Sequence, residues 1–501
     1  MTARTPDDPT LPEPDALLDE VLALRRAVAA EAAEMLDGWH GQIRREAFLD
    51  DAANLAAYLA LRRRDLGALQ DGLSRLGLSS LGRSEARVLA NLDAVAATLA
   101  AVAGRPLPDG FARPDAAAWA RGNDGLRAHK RALFGADPGG PHTRIMVTLP
   151  AEAASDPALA DALIAAGADC ARINCAHDDT DVWAAMIANM RAAAARAGRR
   201  CPVLMDLGGP KIRIDAVFTA DPPRLGVGDT LALTDGAPPP PDAAAAAAAC
   251  TVPGLVAALR PGGQVWYDDG KLGAVVERRE PWGVLLRVTI ASDKGARPRM
   301  EKGLNFPDLE LDLPALTAKD LRDLDFVVAN ADMVGYSFVQ QPADVAWLQQ
   351  ELAARTAGAA PMPLVLKIET RRAVANLPRL IVAAAGWQPL AVMIARGDLA
   401  LHVGFKRLSE MQEEMLWLCE AARIPVIWAT QVLERLIKTG LPTRAETTDA
   451  AMGQRAECVM LNKGVHLVDG VRFLDDVLRR MDRHQRKKTA RLAPLRAWSS
   501  P

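Results

Sequence analysis

Between residues 144 and 462, short apolar runs rich in Val, Ile and Leu alternate with helix-length segments, and that rhythm limits the fold more than any other feature of the chain. The runs are RIMVTL (144–149), CARINC (170–175), PVLMDL (202–207), DMVGYSF (332–338), LVLKIE (364–369), LAVMIA (390–395), PVIWAT (425–430) and CVMLN (458–462). Amphipathic stretches such as PALADALIAAG and RLSEMQEEMLWLCEAARI lie between most of them. Parallel strands need long crossovers, and helices supply them. Eight such repeats predict an α/β protein built on a closed (β/α)8 (TIM) barrel.

One connection breaks the rhythm. Roughly 120 residues separate the third and fourth runs, and they hold period-two segments such as PRLGVGDTLALTD, GGQVWYDDGKLGAVVERR and GVLLRVTIASDKG. Residues 212–303 therefore read as an inserted small β-domain, a lid over the barrel mouth. Within it, APPPPDAAAAAAAC (237–250) reads as a flexible surface loop. Residues 1–139 read as an α-helical domain, with apolar positions three and four apart in ALLDEVLALRRAVAAEAAEML and NLAAYLALRRRDLGALQDGLSRL. Ser84 is placed to cap a helix opened by Glu85, and FGADPGGPH (134–142) reads as a linker. Residues 140–211 and 304–484 would then form the barrel, and 485–501 a charged, solvated tail.

A formal charge of −2 with 24% charged residues argues against nucleic acid or an anionic membrane as partner. No apolar run approaches the roughly 20 residues that span a bilayer. The acidic, proline-bearing start MTARTPDDPTLPEPD does not look like a signal peptide. The six cysteines contain no C-x-x-C pair, which fits free buried thiols in a reducing cytoplasm.

Barrel proteins build their sites at the carboxyl ends of the strands. Charged and polar residues collect at those ends here: Arg172 and Asn174, Asp206, Lys367 and Glu369, Arg396 and Asp398, Thr430 and Gln431. Glu369 and Asp398 offer oxygen ligands suited to Mg²⁺, which prefers two carboxylates completed by substrate oxygens and water. Gly397 and Asp398 stand at a strand-to-helix turn whose amides can hold an anion. Lys367 shares a strand face with Glu369, where its ammonium would neutralise a transferring phosphoryl group or an enolate oxygen. Arg172 and Arg213 can grip phosphate, and Thr430 can relay a proton or simply hydrogen-bond. Lys211, in LMDLGGPKIRID, is an ammonium five residues after Asp206. It reads either as a tethered positive charge balancing Asp206 or as a plain ion pair with it.

Across roughly residues 143–480 these segments resemble the pyruvate kinase family. ADCARINCAHD is similar to A-R-(L/I)-N-(F/C)-S-H, DLGGPKIR to D-x-x-G-P-(E/K)-I-R, and YDDGKL to V-D-D-G. EKGLNFPDLELDLPALTAKD is similar to K-G-(V/I)-N-(L/F)-P with its D-L-P continuation, LKIET to (S/A)-K-I-E-(N/T), and MIARGDLAL to (V/I)-A-R-G-D-L. PVIWATQVLERLIKTGLPTRAETTDAA follows the family's A-T-Q…P-T-R-A-E run. The resemblance implies transfer of a phosphoryl group from phosphoenolpyruvate to ADP, giving pyruvate and ATP, with Mg²⁺ or Mn²⁺. It implies that Lys367 stabilises the transferring group, that Glu369 and Asp398 bind the metal, and that Thr430 lies near the enolate carbon. The amides of Gly397 and Asp398 would hold the substrate carboxylate. Arg172, Asn174, Asp206 and Arg213 would line the phosphoryl site, with His177 and Lys302 toward the nucleotide.

The departures carry information. Ala176 stands where the family commonly has serine, and Lys211 where it has glutamate; Leu207 and Ile214 are apolar. This is the pattern of the lysine-bearing branch that dispenses with K⁺, with Lys211 as the monovalent-cation surrogate. MLNKGVHLVDG replaces M-L-S-G-E-(T/S)-A, so that Asn462, Lys463 and Gly464 stand where a proton-relay hydroxyl is expected. The VTLPAEA turn is short, and the family's C-terminal α/β domain is not expected in this chain. Two other readings stay open: a catalytically weak regulatory homologue that binds phosphoenolpyruvate or nucleotide, and a Mg²⁺-enolate lyase or aldolase. A homo-oligomer is open as well.

Overall fold

The computed structural model describes residues 13–136, 142–309, 311–356 and 358–491. It begins with five helices, α1 (Pro14–Trp39), α2 (Leu49–Arg62), α3 (Gly67–Arg75), α4 (Val88–Ala103) and α5 (Ala116–Phe134). Leu18, Val21 and Val28 of α1 are fully buried, sharing a core with Leu92 and Leu99 of α4. Ser84 does not cap a helix, contrary to the sequence reading. The chain turns until Val88, whose amide donates to Asn54 Oδ1 of α2 at 2.9 Å. Ser84 instead donates to the Leu81 carbonyl and accepts from Asn91.

This bundle is built into the rest of the molecule. Phe48, Ala52 and Leu55 belong to the same apolar cluster as the barrel's outer layer. Asp51 pairs with Arg423 at 2.8 Å, and Asn54 donates to the Ala421 carbonyl at 2.8 Å. The first residue of the expected linker is also core. Leu133 and Phe134 are buried among Met146, Cys170, Leu204, Met333 and Cys458, inside the barrel. Residues 137–141 of that segment lie outside the described residues.

The barrel opens with β1 (Arg144–Thr148), α6 (Pro157–Ala166), β2 (Cys170–Asn174), α7 (Thr180–Arg196) and β3 (Val203–Asp206). The chain then leaves for the insert: β4 (Ile214–Val217), β5 (Thr230–Thr234), β6 (Ala246–Cys250), α8 (Leu255–Ala258), β7 (Gln264–Tyr267), β8 (Leu272–Glu280), β9 (Gly283–Ala291) and β10 (Leu304–Asn305). It returns through α9 (Ala318–Asn330), β11 (Met333–Tyr336), α10 (Pro342–Thr356), β12 (Leu364–Ile368), α11 (Arg371–Ala385) and β13 (Leu390–Ala395). Then come α12 (Arg396–Val403), α13 (Phe405–Ala421), β14 (Val426–Ala429), α14 (Glu434–Thr439), α15 (Arg444–Gly453), β15 (Cys458–Leu461) and α16 (Leu467–Met481).

The eight parallel strands close in the order β1-β15-β14-β13-β12-β11-β3-β2, each within one of the eight apolar runs. Their residues are almost all buried, as expected of strands covered on both faces. Local chemistry agrees with the elements. Asp156 caps α6 ahead of Pro157, and Thr317 with Asp320 forms a capping box on α9.

The insert is a seven-stranded sheet in the order β10-β7-β8-β9-β5-β6-β4. Its two ends meet again where Arg213 bridges Gly303, so entry and exit strands share one hinge. The alanine tract is a loop only in part, because Ala246–Cys250 is the strand β6, with Ala246, Ala248 and Ala249 fully buried between neighbours. Small side chains let that sheet pack closely, and composition alone did not show it. The tail is not free either. β16 (Gln485–Arg486) and β17 (Thr489–Ala490) form a hairpin whose turn places Lys487 on buried Glu457 and Lys488 on buried Glu85, the latter at 2.5 Å. Residues 492–501 lie outside the described residues.

Candidate active site

A cleft of about 860 Å³ opens at the carboxyl ends of the barrel strands, roofed by the insert. Of the twelve residues given a role from the sequence, Arg172, Asn174, His177, Lys211, Arg213, Lys302, Lys367, Glu369, Gly397, Asp398 and Thr430 line it; Asp206 does not, and neither does the strand-end charge Arg396.

Asp206 lies under the floor, fully buried, and organises the charges above it. It accepts from Arg172 Nε at 2.9 Å and Nη2 at 2.5 Å, while Arg172 Nη1 reaches Thr148 Oγ1 at 3.0 Å. The fork of Arg172 is therefore turned onto a carboxylate rather than into the cleft. Lys367 Nζ stands 3.3 Å from Asp206 and 3.2 Å from Glu369, and donates to Ser337 Oγ at 2.6 Å. Burial alone would raise the Asp206 pKa, but Lys367 and Arg172 outweigh it and hold the carboxyl below its usual range. Burial would lower Lys367, yet Asp206 and Glu369 hold it above the usual lysine value. Glu369 goes the other way. Burial raises it, Asp398 and Asp206 add repulsion, and Lys367 and the Phe338 amide only partly compensate. β11 packs directly on β3 here, and at Gly335 a Cβ would sit 2.6 Å from Asp206 Oδ1, so only glycine fits.

Lys211 does not pair with Asp206 in either of the senses expected from the sequence. Its ammonium lies 3.0 Å from Asp398 Oδ1 and 3.3 Å from Asp269 of the insert. Asp206 already has two cationic partners beneath the floor, whereas the turn after Gly208 carries Lys211 up to the lid hinge. That turn is held by Asp320 Oδ1, which accepts from the Gly208 and Gly209 amides at 2.9 and 3.3 Å. The Lys211 stem passes against Gly303, where a Cβ would meet Cε at 2.8 Å. Burial works against the Lys211 charge, but Asp398 and Asp269 outweigh it and raise its pKa. Asp398 is correspondingly held low: burial is overcome by Lys211 and by Asn305 Nδ2, which donates to it at 3.0 Å.

At the seventh strand end, Thr430 Oγ1 accepts from the Gly397 amide at 2.7 Å, so that amide is engaged rather than free for an anion. Thr430, Gln431 and Leu433 all have positive φ (65°, 57° and 50°), an uncommon strain for a β-branched threonine. Arg396 braces this turn by donating to the carbonyls of Ala429 and Thr430 and by pairing with Asp449. Asn174 Oδ1 accepts from the Ala176 amide at 3.1 Å, stiffening the second strand end. His177 is pushed down by burial, with Lys463 and Arg213 adding to the effect. From the insert, Arg213 donates to the Glu301 carbonyl at 2.7 Å, and Lys302 pairs with Asp268 at 3.3 Å.

Glu369 and Asp398 are close enough to influence each other's ionisation, and both line the cleft. Among the described residues no group of three or more His, Cys, Asp or Glu side chains is arranged to hold a metal. Two carboxylates suit a cation that takes its other ligands from substrate and water, as Mg²⁺ does.

Four contributors escaped the sequence reading: Ser337, Asn305, Asp320 and Asp269. Ser337 directly follows β11 within the fourth strand run, and the strand-end rule applied there would have found it. Asn305 lies inside the quoted GLNFP segment, but only the fold shows that it reaches Asp398.

Fold and cleft together define a (β/α)8-barrel protein with a hinged β insert over a buried, densely charged site. The chain belongs to the pyruvate kinase family: the family model for the pyruvate kinase barrel domain matches residues 141–465. Similar proteins include the pyruvate kinase of Mycobacterium tuberculosis (strain ATCC 25618 / H37Rv), 34% identical over 294 residues, 58% of this chain and 59% of that one. The pyruvate kinase of Methylorubrum extorquens is 33% identical over 324 residues, 64% of this chain and 63% of that one. Human pyruvate kinase PKLR is 30% identical over 354 residues, 66% of this chain and 59% of that one. The chain thus spans about three-fifths of the length of these curated relatives. Among the described residues no helix is long and apolar enough to cross a membrane.

Proposed function

We propose that this protein transfers the phosphoryl group of phosphoenolpyruvate to ADP, giving pyruvate and ATP, with a divalent cation and without K⁺. The observation that carries this reading is Lys367. It is a buried ammonium fixed by Asp206, Glu369 and Ser337 at the cleft floor, with Asp398, Thr430 and the insert's cations around the same space. In the reaction the enol C–O–P bridge breaks at phosphorus and an oxygen of the ADP β-phosphate forms the new bond. Lys367 is preorganised to meet the charge of the phosphoryl group in transit. Arg172 keeps the floor neutral through Asp206, and Arg213 approaches from the lid. The enolate left behind takes a proton at carbon on the Thr430 side. His177 and Lys302 face the nucleotide, and Asn174 shapes the phosphoryl end.

Glu369 and Asp398 would hold Mg²⁺ or Mn²⁺, which when bound neutralises negative charge on the reacting oxygens. Because Lys211 pairs with Asp398, a cation held there would have to displace the ammonium. The K⁺-independent reading rests on that lysine, together with Ala176 and the buried Leu207 and Ile214, which offer no side-chain oxygen. Six free, buried cysteines fit a cytoplasmic protein. One observation favours a weakly active binding homologue instead: Asn462 and Lys463 line the cleft where a hydroxyl would serve the relay.

A coupled assay with phosphoenolpyruvate, ADP and Mg²⁺, with and without K⁺, tests the proposal. ATP formation independent of K⁺ is expected. No ATP in either condition rejects the kinase reading, and strong K⁺ activation rejects the role given to Lys211.

A further inference from the structure

A second cavity, of about 610 Å³, shares no lining residue with the cleft. It lies at the other end of the barrel. One wall is Glu420 at the close of α13, just before β14 begins; another is Lys487, anchored to Glu457 just before β15. The remaining walls are the turn ahead of α4, the face of α5 and the hairpin β16–β17. The cavity therefore exists only because the helical bundle is docked on the barrel.

Its lining holds seven cationic side chains against the three carboxyls of Glu85, Asp124 and Glu420. Lys487, Lys488 and Arg127 are paired with Glu457, Glu85 and Asp124. Arg83, Arg87, Arg486 and Arg491 make no ion pair among the described residues. Arg87 and Arg491 donate only to neutral carbonyls, those of Trp119 at 2.7 Å and Asp482 at 2.8 Å. Burial lowers the pKa of Arg486, and neighbouring Arg127 and Arg491 repel it further. Glu420 attracts Arg87, and Asp482 and Glu457 attract Arg486, but none stands within ion-pair distance, so four guanidinium groups in one recess repel one another and are favourable around a shared anion. Guanidinium forks match phosphate oxygens in pairs. Beside them stands Trp119, 42% exposed, with Arg87 stacked 4.5 Å from its ring.

We propose that this cavity is a binding site for a small phosphate ester, its phosphate held by Arg83, Arg87, Arg486 and Arg491 and its organic part laid against Trp119. The volume is of the size that encloses a small metabolite. A bare phosphate ion would use the guanidiniums and leave the indole idle.

Titration calorimetry on the full chain, in phosphate-free buffer at low ionic strength, compares glycerol 3-phosphate with inorganic phosphate. Both anions also fit the cleft, so substitution assigns the site. Arg83→Ser and Arg486→Ser are each expected to weaken ester binding at least tenfold, and glycerol 3-phosphate is expected to bind more tightly than inorganic phosphate. Quenching of tryptophan fluorescence by the ester should disappear in Trp119→Phe. Affinity unchanged in both serine variants, or absence of saturable binding, overturns the site; equal affinities for the two probes overturn the ester. Arg83 is exposed and unpaired among the described residues, so Arg83→Ser decides the matter even if Arg486→Ser fails to fold.

Discussion

At the level of single residues, the site is a set of buried charges that are affordable only together. Asp206 is fully enclosed, and removing one partner from such a group leaves another charge uncompensated. Lys367→Met tests the chemistry of this group. Turnover should fall by about 10²–10³, the scale of one lost transition-state donor. Mn²⁺ should still bind, because Glu369 and Asp398 remain; an unchanged rate would remove Lys367 from the reaction. Lys211 makes a different prediction. Its ammonium sits on a carboxylate of the proposed cation site, so on that reading the two would compete. Lys211→Ala should bind Mn²⁺ more tightly in the absence of substrates, on the order of tenfold, equivalent to ~1.4 kcal/mol. Equal affinity in variant and parent would show that Lys211 does not obstruct the metal.

At the level of elements, all eight barrel strands were legible, because strands covered on both faces must be apolar throughout and leave a dense local signal. The polar ends of those strands were equally visible, and they led to the cleft. What could not be read were pairings set by loops and tertiary approach. Nothing local to LMDLGGPKIRID says that Lys211 will turn to Asp398 rather than Asp206; the lid hinge and Asp320 decide that. The alanine tract looked featureless, since its strand is stabilised by neighbours rather than by its own side chains. Phe134 looked like the start of a linker, since no periodicity marks a single apolar residue that ends a helix. Phe134→Ala should destabilise the protein by about 3–5 kcal/mol, read from denaturant unfolding, since it empties part of the barrel interior. A change under 1 kcal/mol would mean the plug adds little.

At the level of the whole molecule, bundle, barrel and hairpin are joined by buried polar groups as well as by apolar packing. Glu420 lies in that seam, its pKa pushed up to about 7 by burial, with Glu85 and Glu457 adding to the effect against Lys487. An unfolded glutamate titrates near 4.3. Between those values the folded protein holds a proton that the unfolded chain has released. Stability is therefore lost as pH rises from about 4.3 to about 7, and the penalty is complete above that. Glu420→Gln removes it. The variant should melt roughly 1–3 °C higher than its parent at pH 8, with the gap shrinking toward pH 5. A gap that is constant with pH would assign the change to packing instead.

The Phe134 plug also bears on how the chain is made. The bundle leaves the ribosome first, while β15, which closes the ring around Phe134, comes more than 300 residues later. At about 5–20 residues per second that is a wait of some tens of seconds. Until then the end of α5 lacks the closed ring that buries it, and the barrel-facing side of α2 waits for α13, so both apolar surfaces gain their native cover only late in synthesis.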